Sequence, residues 1–495
     1  MFKTTIGDLL NVIPYSSFYG DINAEISGIT CNSKEVEPLN IFAALKGYKQ
    51  DGRIYAKEAV EKGAVAVLSH SDPLEDFPFK NIPWIVCQNE RLSFAIASSY
   101  LYPIKSRKPK LVGITGTNGK TTIVYLLRSI FNLCGGGAIL STIEYDDGKT
   151  LKEAQRTTPE ADFINKWLCK ISEAEIPYAA MEVSSHSLEL HRVSSLEFDS
   201  VGFTNLTRDH LDFHKTMENY FEAKKKIFSL LKKDGFSVIN IEDEYGRRVA
   251  SEINKGSLFK VGVSSSADIY PEDVSISLNG IAAIVSTPWG KLKIDSKLTG
   301  KYNLMNILFA VAFSCGFKIE KECIEEGIRN FGGVPGRLQR VDAGQDFYVF
   351  VDYAHSDDSL RNVLLSLKPL ISGKLITIFG CGGDRDKTKR PLMGAVSTKL
   401  SDVVILTTDN SRSEEPEDIA RDIEPGIFSE LNESKKYIKE LDRRKAIEKS
   451  FELAEKGDVV LIAGKGHERT QTIKSNITPF HDPTVALEIL KELKK

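Results

Sequence analysis

The chain is poor in the features that mark secreted, membrane-spanning or nucleic-acid-binding proteins. Its seven cysteines are scattered over 495 residues, odd in number and without a C-x-x-C pair. Such spacing predicts neither a disulfide framework nor a zinc site, and it favours a reducing cytoplasm. No uninterrupted apolar run approaches the roughly 18 residues that would cross a bilayer, so no membrane insertion is expected. The opening MFKTTIGDLLNVIPYSSF has no basic stretch leading into an apolar one, so no secretory signal is expected. Formal net charge is only −3. That leaves no broad field for nucleic acid or an anionic membrane, and recognition of anions must be local. Internal repeats and low-complexity tracts are also absent.

What remains is an ordinary globular composition, 41% apolar and 27% charged. At roughly 100–200 residues per domain the length predicts about three domains. Two stretches read as joints: YPIKSRKPK (Tyr102–Lys110), basic and proline-bounded, and NFGGVPGRLQR (Asn330–Arg340), rich in glycine. They set expected domains at 1–109, 110–335 and 336–495. In the second, KLVGIT, YAAMEVS, DSVGFTN and FSVINI read as strands; in the third, FYVFVDY, KLITIFG, DVVILTT and DVVLIAG do. Amphipathic stretches alternate with them, so both domains are expected to be α/β with mostly parallel sheets. The first domain mixes short strands (AEISGIT, NIFAAL, AVAVLS) with a helix at RIYAKEAVEKG.

Ligands in such sheets bind beyond the carboxyl ends of the strands. The four strands of the last domain run into DYAHSDD, GCGGDRDKTKRP, TDNSRSEEP and GKGHE. Four charged exits on one sheet edge predict a site.

KLVGITGTNGKTTIVYLL is a strand, a glycine-rich turn and an apolar helix. Main-chain N–H groups of Gly116, Thr117, Asn118, Gly119, Lys120, Thr121 and Thr122 would wrap phosphates, helped by the helix N-terminus. Lys120 would reach the β/γ-phosphates, and the Thr121 hydroxyl would bind Mg²⁺. The usual G-x-x-x-x-G-K-[ST] spacing is not met, because Ile114 stands where its first glycine would be. A plain glycine-rich turn is the alternative, and the strand–loop–helix context disfavours it.

Glu182 closes a second strand, ahead of Ser184, Ser185 and His186, and an acid beside a phosphate loop suits Mg²⁺. A third strand ends in Asn205, Arg208, Asp209, His210 and His214. MENYFEAKKKIFSLLKK then reads as one helix whose apolar face runs Tyr220, Phe221, Lys224, Ile227, Phe228, Leu231. Lys225 and Lys226 point away from that face. Lys224 lies within it; a buried ammonium is costly unless paired or neutralised, so this lysine either snorkels to water or is held for a task.

The ordered set GTNGKTT, EVSSH, TNLTRDHLDFH, EAKKKIF, LTGKYNLMN, GVPGRL, DYAH, GCGGDRDKTKRP and GKGHE resembles the Mur ligases, and within them the branch that adds the third amino acid to the peptidoglycan precursor. The likeness runs from Ser33 to at least Glu468. It implies a small α/β domain for the UDP-sugar, a central ATPase and a Rossmann-like domain for the incoming amino acid. It implies a cytoplasmic enzyme, expected as a monomer, acting in cell-wall synthesis. ATP, Mg²⁺ and a carbamate formed on Lys224 from CO₂ are its implied cofactors, with Glu182, His210 and the modified Lys224 as metal ligands. Asn303 and Asn306 would face the adenine. Arg337, Asp352 and His355 would serve the nucleotide too, with Tyr353 beside them. Ser33, Thr157, Thr158, Ser184 and Arg192 would hold UDP-MurNAc-L-Ala-D-Glu. Asn32, Lys34 and Leu190 depart from the family pattern around that substrate.

The implied reaction passes through an acyl phosphate. A carboxylate attacks the γ-phosphate, and an amine then displaces phosphate. Aligning three substrates while excluding water favours closure of the domains.

By the same resemblance, Asp409, Asn410, Ser411 and Arg412 form the motif that selects the amino acid, with Arg385, Gly464 and Glu468 completing its pocket. Many diaminopimelate-adding relatives have proline where Ser411 stands. Arg412 matches the second carboxylate of meso-diaminopimelate through paired hydrogen bonds; against lysine it would face an ammonium. Diaminopimelate is therefore the expected substrate. Lysine addition, a folylpolyglutamate-synthase-type ligase and an inactive nucleotide-binding scaffold are the alternatives.

Overall fold

The computed structural model describes residues 4–47, 50–104 and 108–493. Residues 105–107, in the expected joint Tyr102–Lys110, lie outside the described residues. Three larger sheets carry three parts of the chain, each with its own buried core. All seven cysteines are free. Among the described residues no helix is long and apolar enough to cross a membrane.

The first sheet has the order Ser17–Tyr19, Trp84–Val86, Ala64–Ser69, Asn40–Ala44, Gly28–Thr30. All its pairs are parallel except the first. AEISGIT, expected as one strand, is two. Glu25–Ile26 pairs antiparallel with Thr4–Thr5, whereas Gly28–Thr30 joins the larger sheet. The expected helix Arg53–Gly63 is also shorter. Gly52–Tyr55 is a 3-10 turn capped by Asp51, which accepts from Arg53 N, and the α-helix covers only Ala56–Glu61.

The central sheet has eight strands. In spatial order they are Leu151–Glu153, Glu144–Asp146, Gly137–Leu140, β2 (Tyr178–Glu182), β1 (Lys110–Thr115), β3 (Phe198–Phe203), β4 (Leu231–Asn240) and Ser257–Val261. The six from Gly137–Leu140 onward run parallel. Residues Leu111 to Thr115 are all buried, as an apolar run covered on both faces should be. The register sets Glu182 opposite Ile114 and Phe203 opposite Thr115, so β1, β2 and β3 end at one edge.

The single long helix expected from MENYFEAKKKIFSLLKK is not formed. An α-helix covers Met217–Lys225, a 3-10 turn follows over Lys226–Leu230, and β4 begins at Leu231. Leu231 pairs with Phe198 of β3, so sheet pairing overrides helical spacing at this point. The apolar stripe is nevertheless buried throughout, from Tyr220 to Leu231.

The last sheet has the order Gln339–Val341, β5 (Tyr348–Asp352), β8 (Val459–Ala463), β6 (Leu375–Phe379), β7 (Val403–Leu406), Lys436–Lys439. From β5 onward all pairs are parallel. Buried clusters cover both faces. The four expected strands are therefore four neighbours, and their exits share one edge. A separate sheet contains Tyr270–Ser277, Gly280–Thr287 and Gly290–Ser296.

The chain forms two compact units. The first is Met1–Tyr270 with Ser286–Gly290 and Leu308–Gly327; the second is Pro271–Val285, Lys291–Ile307 and Ile328–Lys495.

Candidate active site

In the first unit, the β1 exit, expected to wrap phosphates, is held by its neighbour. Thr117 N donates to Asn205 O at 2.9 Å. Asn118 N donates to Asn205 Oδ1 at 2.9 Å, and Thr204 Oγ1 donates to Asn118 O at 2.6 Å. Gly116 has φ 143°, and a Cβ there would lie 1.9 Å from Thr204 Oγ1. Only glycine fits. Helix α1 (Lys120–Asn132) starts directly after Gly119, which has φ 91°. Lys120 Nζ folds back onto the carbonyls of Gly116 (2.9 Å) and Thr117 (2.8 Å).

Lys224 does not snorkel. It is 1% exposed, its Nζ donates to Gly116 O at 2.8 Å, and it lies 4.6 Å from the centre of the Tyr220 ring. Burial, and then the charge of Lys120, hold its amine well below the ordinary lysine value against the pull of Asp209. This buried amine is held against the carbonyl of Gly116, in the glycine-rich turn.

Glu182 is equally buried. Its Oε1 accepts from Thr142 N at 2.7 Å and its Oε2 from Thr142 Oγ1 at 3.2 Å. The residues expected at the UDP-substrate adjoin it. Thr142 Oγ1 and Thr157 Oγ1 lie 3.2 Å apart, within hydrogen-bond distance. Thr158 Oγ1 donates to Glu182 O at 2.9 Å and accepts from Ser184 N at 3.1 Å. Arg192 donates to Thr158 O at 3.0 Å and pairs with Glu160 at 3.0 Å. Ser33 is separate from this network: its hydroxyl donates to Glu58 Oε2 at 2.8 Å in the first sheet's layer.

His210 occupies the left-handed region at φ 53°, a conformation uncommon outside glycine and found at sites. Its ring stands edge-on to that of His186, with centroids 4.9 Å apart. Burial, His210, His214 and Arg192 push His186 down to about 4, so this ring stays neutral near pH 7.

Among the described residues no three His, Cys, Asp or Glu side chains gather closely enough to cage a metal. The candidate donors are the Thr121 hydroxyl in the first turn of α1, the Glu182 carboxylate at the end of β2 and the His210 ring in the segment after β3. An incomplete set with two oxygen donors fits Mg²⁺, which keeps several waters and phosphate oxygens of its ligand. A carbamate on Lys224 would add oxygen to it.

In the second unit, Asn303 and Asn306 are buried, with Asn306 Nδ2 donating to Asn303 Oδ1 at 3.0 Å. Asp352 ends β5 and accepts from Leu338 N (2.6 Å) and Ala354 N (2.8 Å). Burial raises its carboxyl, with Arg337 opposing. The Arg337 guanidinium lies 4.9 Å from the centre of the Tyr353 ring. His355 is exposed and bonds Tyr353 O through Nδ1 at 2.8 Å.

The β7 exit carries Asp409, Asn410, Ser411 and Arg412, the residues expected to select the amino acid. Arg412 donates to Gly383 O at 2.7 Å, and Gly383 N donates to Asn410 O at 2.8 Å. Thus the β6 and β7 exits are joined. Arg390, fully buried, grips both oxygens of Glu414 at 2.9 and 2.8 Å and Asp422 at 2.8 Å. This anchors the loop from behind and holds Glu414 near 2. Gly464 lies against Asp409: a Cβ would meet its Oδ2 at 2.6 Å. Asn410 Nδ2 donates to Glu468 Oε2 at 2.8 Å. Asp409, Asn410, Arg412, Gly464 and Glu468 are thereby brought together. Arg385 is exposed; it and Arg412 both approach Gly382.

Sequence reasoning passed over Thr142, the Arg390–Glu414 grip, Lys465 and the hairpin Thr470–Ile473 with Asn476–Pro479 that closes over the loop. The available signal was Lys465 itself, a lysine between glycines directly after an apolar strand.

Family profiles match this chain in three blocks: Mur ligase family, catalytic domain, over residues 25–99; Mur ligase middle domain, 114–314; and Mur ligase, glutamate ligase domain, 336–466. UDP-N-acetylmuramoyl-L-alanyl-D-glutamate--2,6-diaminopimelate ligase of Clostridium tetani (strain Massachusetts / E88) is 39% identical over 489 residues, 98% of this chain and 99% of that one. The protein of the same name from Solibacter usitatus (strain Ellin6076) is 41% identical over 470 residues, 94% of each. A solved structure of a ligase with that name superposes with TM-score 0.72 at 29% identity, covering 100% of both chains.

Proposed function

The chain belongs to the Mur ligase family, and on that premise we propose that it joins meso-2,6-diaminopimelate to UDP-N-acetylmuramoyl-L-alanyl-D-glutamate at the expense of ATP. The observation that carries the substrate is Arg412, held by Gly383 in one pocket with Asp409, Asn410 and Glu468. A guanidinium beside acids and an amide suits a zwitterion bearing a further carboxylate. The full-length identity to diaminopimelate ligases supports the same reading. The proposed domains are 1–109 for the UDP-sugar, 110–335 for ATP and 336–495 for the amino acid.

The N–H groups of Gly116 to Thr122 hold the phosphates, and Lys120 leaves its carbonyl contacts to neutralise charge on the transferring phosphoryl group. Thr157, Thr158, Ser184 and Arg192 position the muramoyl dipeptide, whose terminal carboxylate attacks the γ-phosphate; ADP leaves and an acyl phosphate remains. Arg412, Asp409 and Glu468 hold diaminopimelate so that its amine attacks the activated carbonyl, forming the amide and releasing phosphate and a proton. Thr121, Glu182, His210 and a carbamate on Lys224 would hold Mg²⁺, which would supply charge stabilisation at the phosphates. An unprotonated Lys224 amine would react with CO₂ to give that carbamate and a proton, and burial favours the unprotonated form.

Incubation with ATP, the UDP-dipeptide and a panel of amino acids tests the proposal. Formation of the diaminopimelate amide in preference to the lysine amide is expected. Absence of any amide product overturns the ligase reading, and preference for lysine overturns the substrate alone.

A further inference from the structure

Lys465 is 0% exposed and lies one residue past Gly464. An ammonium has three N–H donors, and three acceptors surround this one: Asn410 Oδ1 at 3.2 Å, Glu468 Oε2 at 3.0 Å and Thr470 O at 2.7 Å. Each acceptor belongs to a different segment of the pocket: the selecting loop, the turn after β8, and the hairpin that begins at Thr470. The hairpin in turn grips the loop. Thr472 N donates to Asn410 Oδ1 at 2.8 Å, Gln471 Nε2 donates to the carbonyls of Thr408 and Asp409 at 3.2 Å each, and Arg412 N donates to Thr472 O at 3.1 Å.

This arrangement fixes two side chains in orientation. Asn410 Oδ1 accepts from Lys465 and Thr472, so its amide must turn Nδ2 toward Glu468. Glu468 Oε2 accepts from both Asn410 and Lys465, leaving the other carboxylate oxygen as the one to present. Without Lys465, the half-buried Glu468 would lose its counter-charge and Asn410 one of its two orienting donors; an acid left uncompensated rotates or is neutralised.

We propose that Lys465 is a positioning residue for the second substrate: its buried ammonium sets Asn410 and Glu468 in the orientation that receives the ammonium end of the incoming amino acid. The inference rests on the reading of this pocket as the diaminopimelate site. Lys465 does not touch the reacting atoms and acts through Glu468 and Asn410. The hairpin contacts also give the loop a rigidity that Ser411, standing where relatives have proline, does not supply by itself.

The test compares wild type, Lys465→Met, Lys465→Gln, Glu468→Gln and the double variant Lys465→Met/Glu468→Gln, each full-length. Diaminopimelate-amide formation by wild type tests the pocket reading separately. For Lys465→Met the expected result is a KM for diaminopimelate raised by about tenfold or more. KM for ATP and for the UDP-dipeptide should stay within about twofold, and hydroxylamine trapping of the acyl phosphate should be undiminished. Lys465→Gln, which keeps two donors, should fall between Met and wild type. Adding Glu468→Gln to Lys465→Met should raise KM further by much less than Glu468→Gln does alone. An unchanged KM for diaminopimelate in Lys465→Met or Lys465→Gln overturns the proposal. So do a parallel loss of trapping, which marks general damage, and fully multiplicative effects in the double variant. If Lys465→Met does not fold, the Gln variant and its combination with Glu468→Gln decide by the same criteria.

Discussion

The guanidinium of Arg412 donates to the main-chain oxygen of Gly383 at 2.7 Å, while Arg412 itself holds φ 50°. One of its five donors is thus spent on the neighbouring strand exit, and the side chain is aimed before any ligand arrives. A left-handed residue that is not glycine is rare, and here the strain coincides with the group proposed to choose the substrate.

Arg412→Lys should therefore cost more than a charge-conserving change suggests, because a lysine cannot both hold Gly383 and pair bidentately with a carboxylate. A loss of about 1.5–3 kcal/mol of charged hydrogen bonding corresponds to a fall of roughly 10- to 150-fold in kcat/KM for diaminopimelate. Turnover with lysine as substrate should fall far less. Steady-state assays with both amino acids check this.

Lys224→Ala should abolish ligation, and added bicarbonate should not restore it. In the unmodified wild type the Lys224 amine is depressed, so the native state binds fewer protons than the unfolded state at pH values between the lowered value and the ordinary 10.5. Stability should accordingly rise with pH through that window, and Lys224→Met should flatten the rise. Melting temperatures from pH 6.5 upward in CO₂-free buffer measure it, and ¹³CO₂ labelling reports the carbamate directly.

Ser411 is fully buried and its hydroxyl has no hydrogen-bond partner among the described residues. Ser411→Ala should stabilise the protein by about 1 kcal/mol by removing an unsatisfied group. Nothing among the described residues accepts from the Ser411 N–H, so Ser411→Pro should also be tolerated, with a gain of about 0.4–1 kcal/mol from the stiffer unfolded chain. Denaturant titration reads both changes, and kcat/KM for diaminopimelate should hold in each.

Gly116→Ala should eliminate ATP use. Its Cβ would overlap Thr204 Oγ1 at 1.9 Å from a backbone at φ 143°, forcing the cradle apart. Loss of nucleotide-dependent thermal stabilisation, with the circular-dichroism spectrum retained, is the expected readout.

Much of this was legible beforehand. The four strand exits of the last sheet could be placed on one edge because apolar runs separated by amphipathic stretches admit few other connections. Lys224 could be singled out because an ammonium within an apolar stripe demands an explanation. Periodicity failed where tertiary pairing decides. Leu231 continues the helical spacing yet pairs with Phe198, and Arg53–Tyr55 carries a helical pattern that Asp51 caps into a 3-10 turn. The role of Lys465 is not readable from its motif, since its three partners lie in segments whose meeting depends on the hairpin folding back.

The order of the last sheet bears on synthesis. Its latest-made strand, Val459–Ala463, lies between Tyr348–Asp352 and Leu375–Phe379, both completed some eighty or more residues earlier. While the chain emerges from the ribosome those two strands have no partner for their facing edges, and the charged loops beyond them have no fixed spacing. The segment proposed to complete the amino-acid pocket is therefore the last of the sheet to be made, and Gly464 and Lys465 come with it. A nascent chain stalled before Val459 would leave those two apolar strands without the neighbour that joins them in the finished sheet.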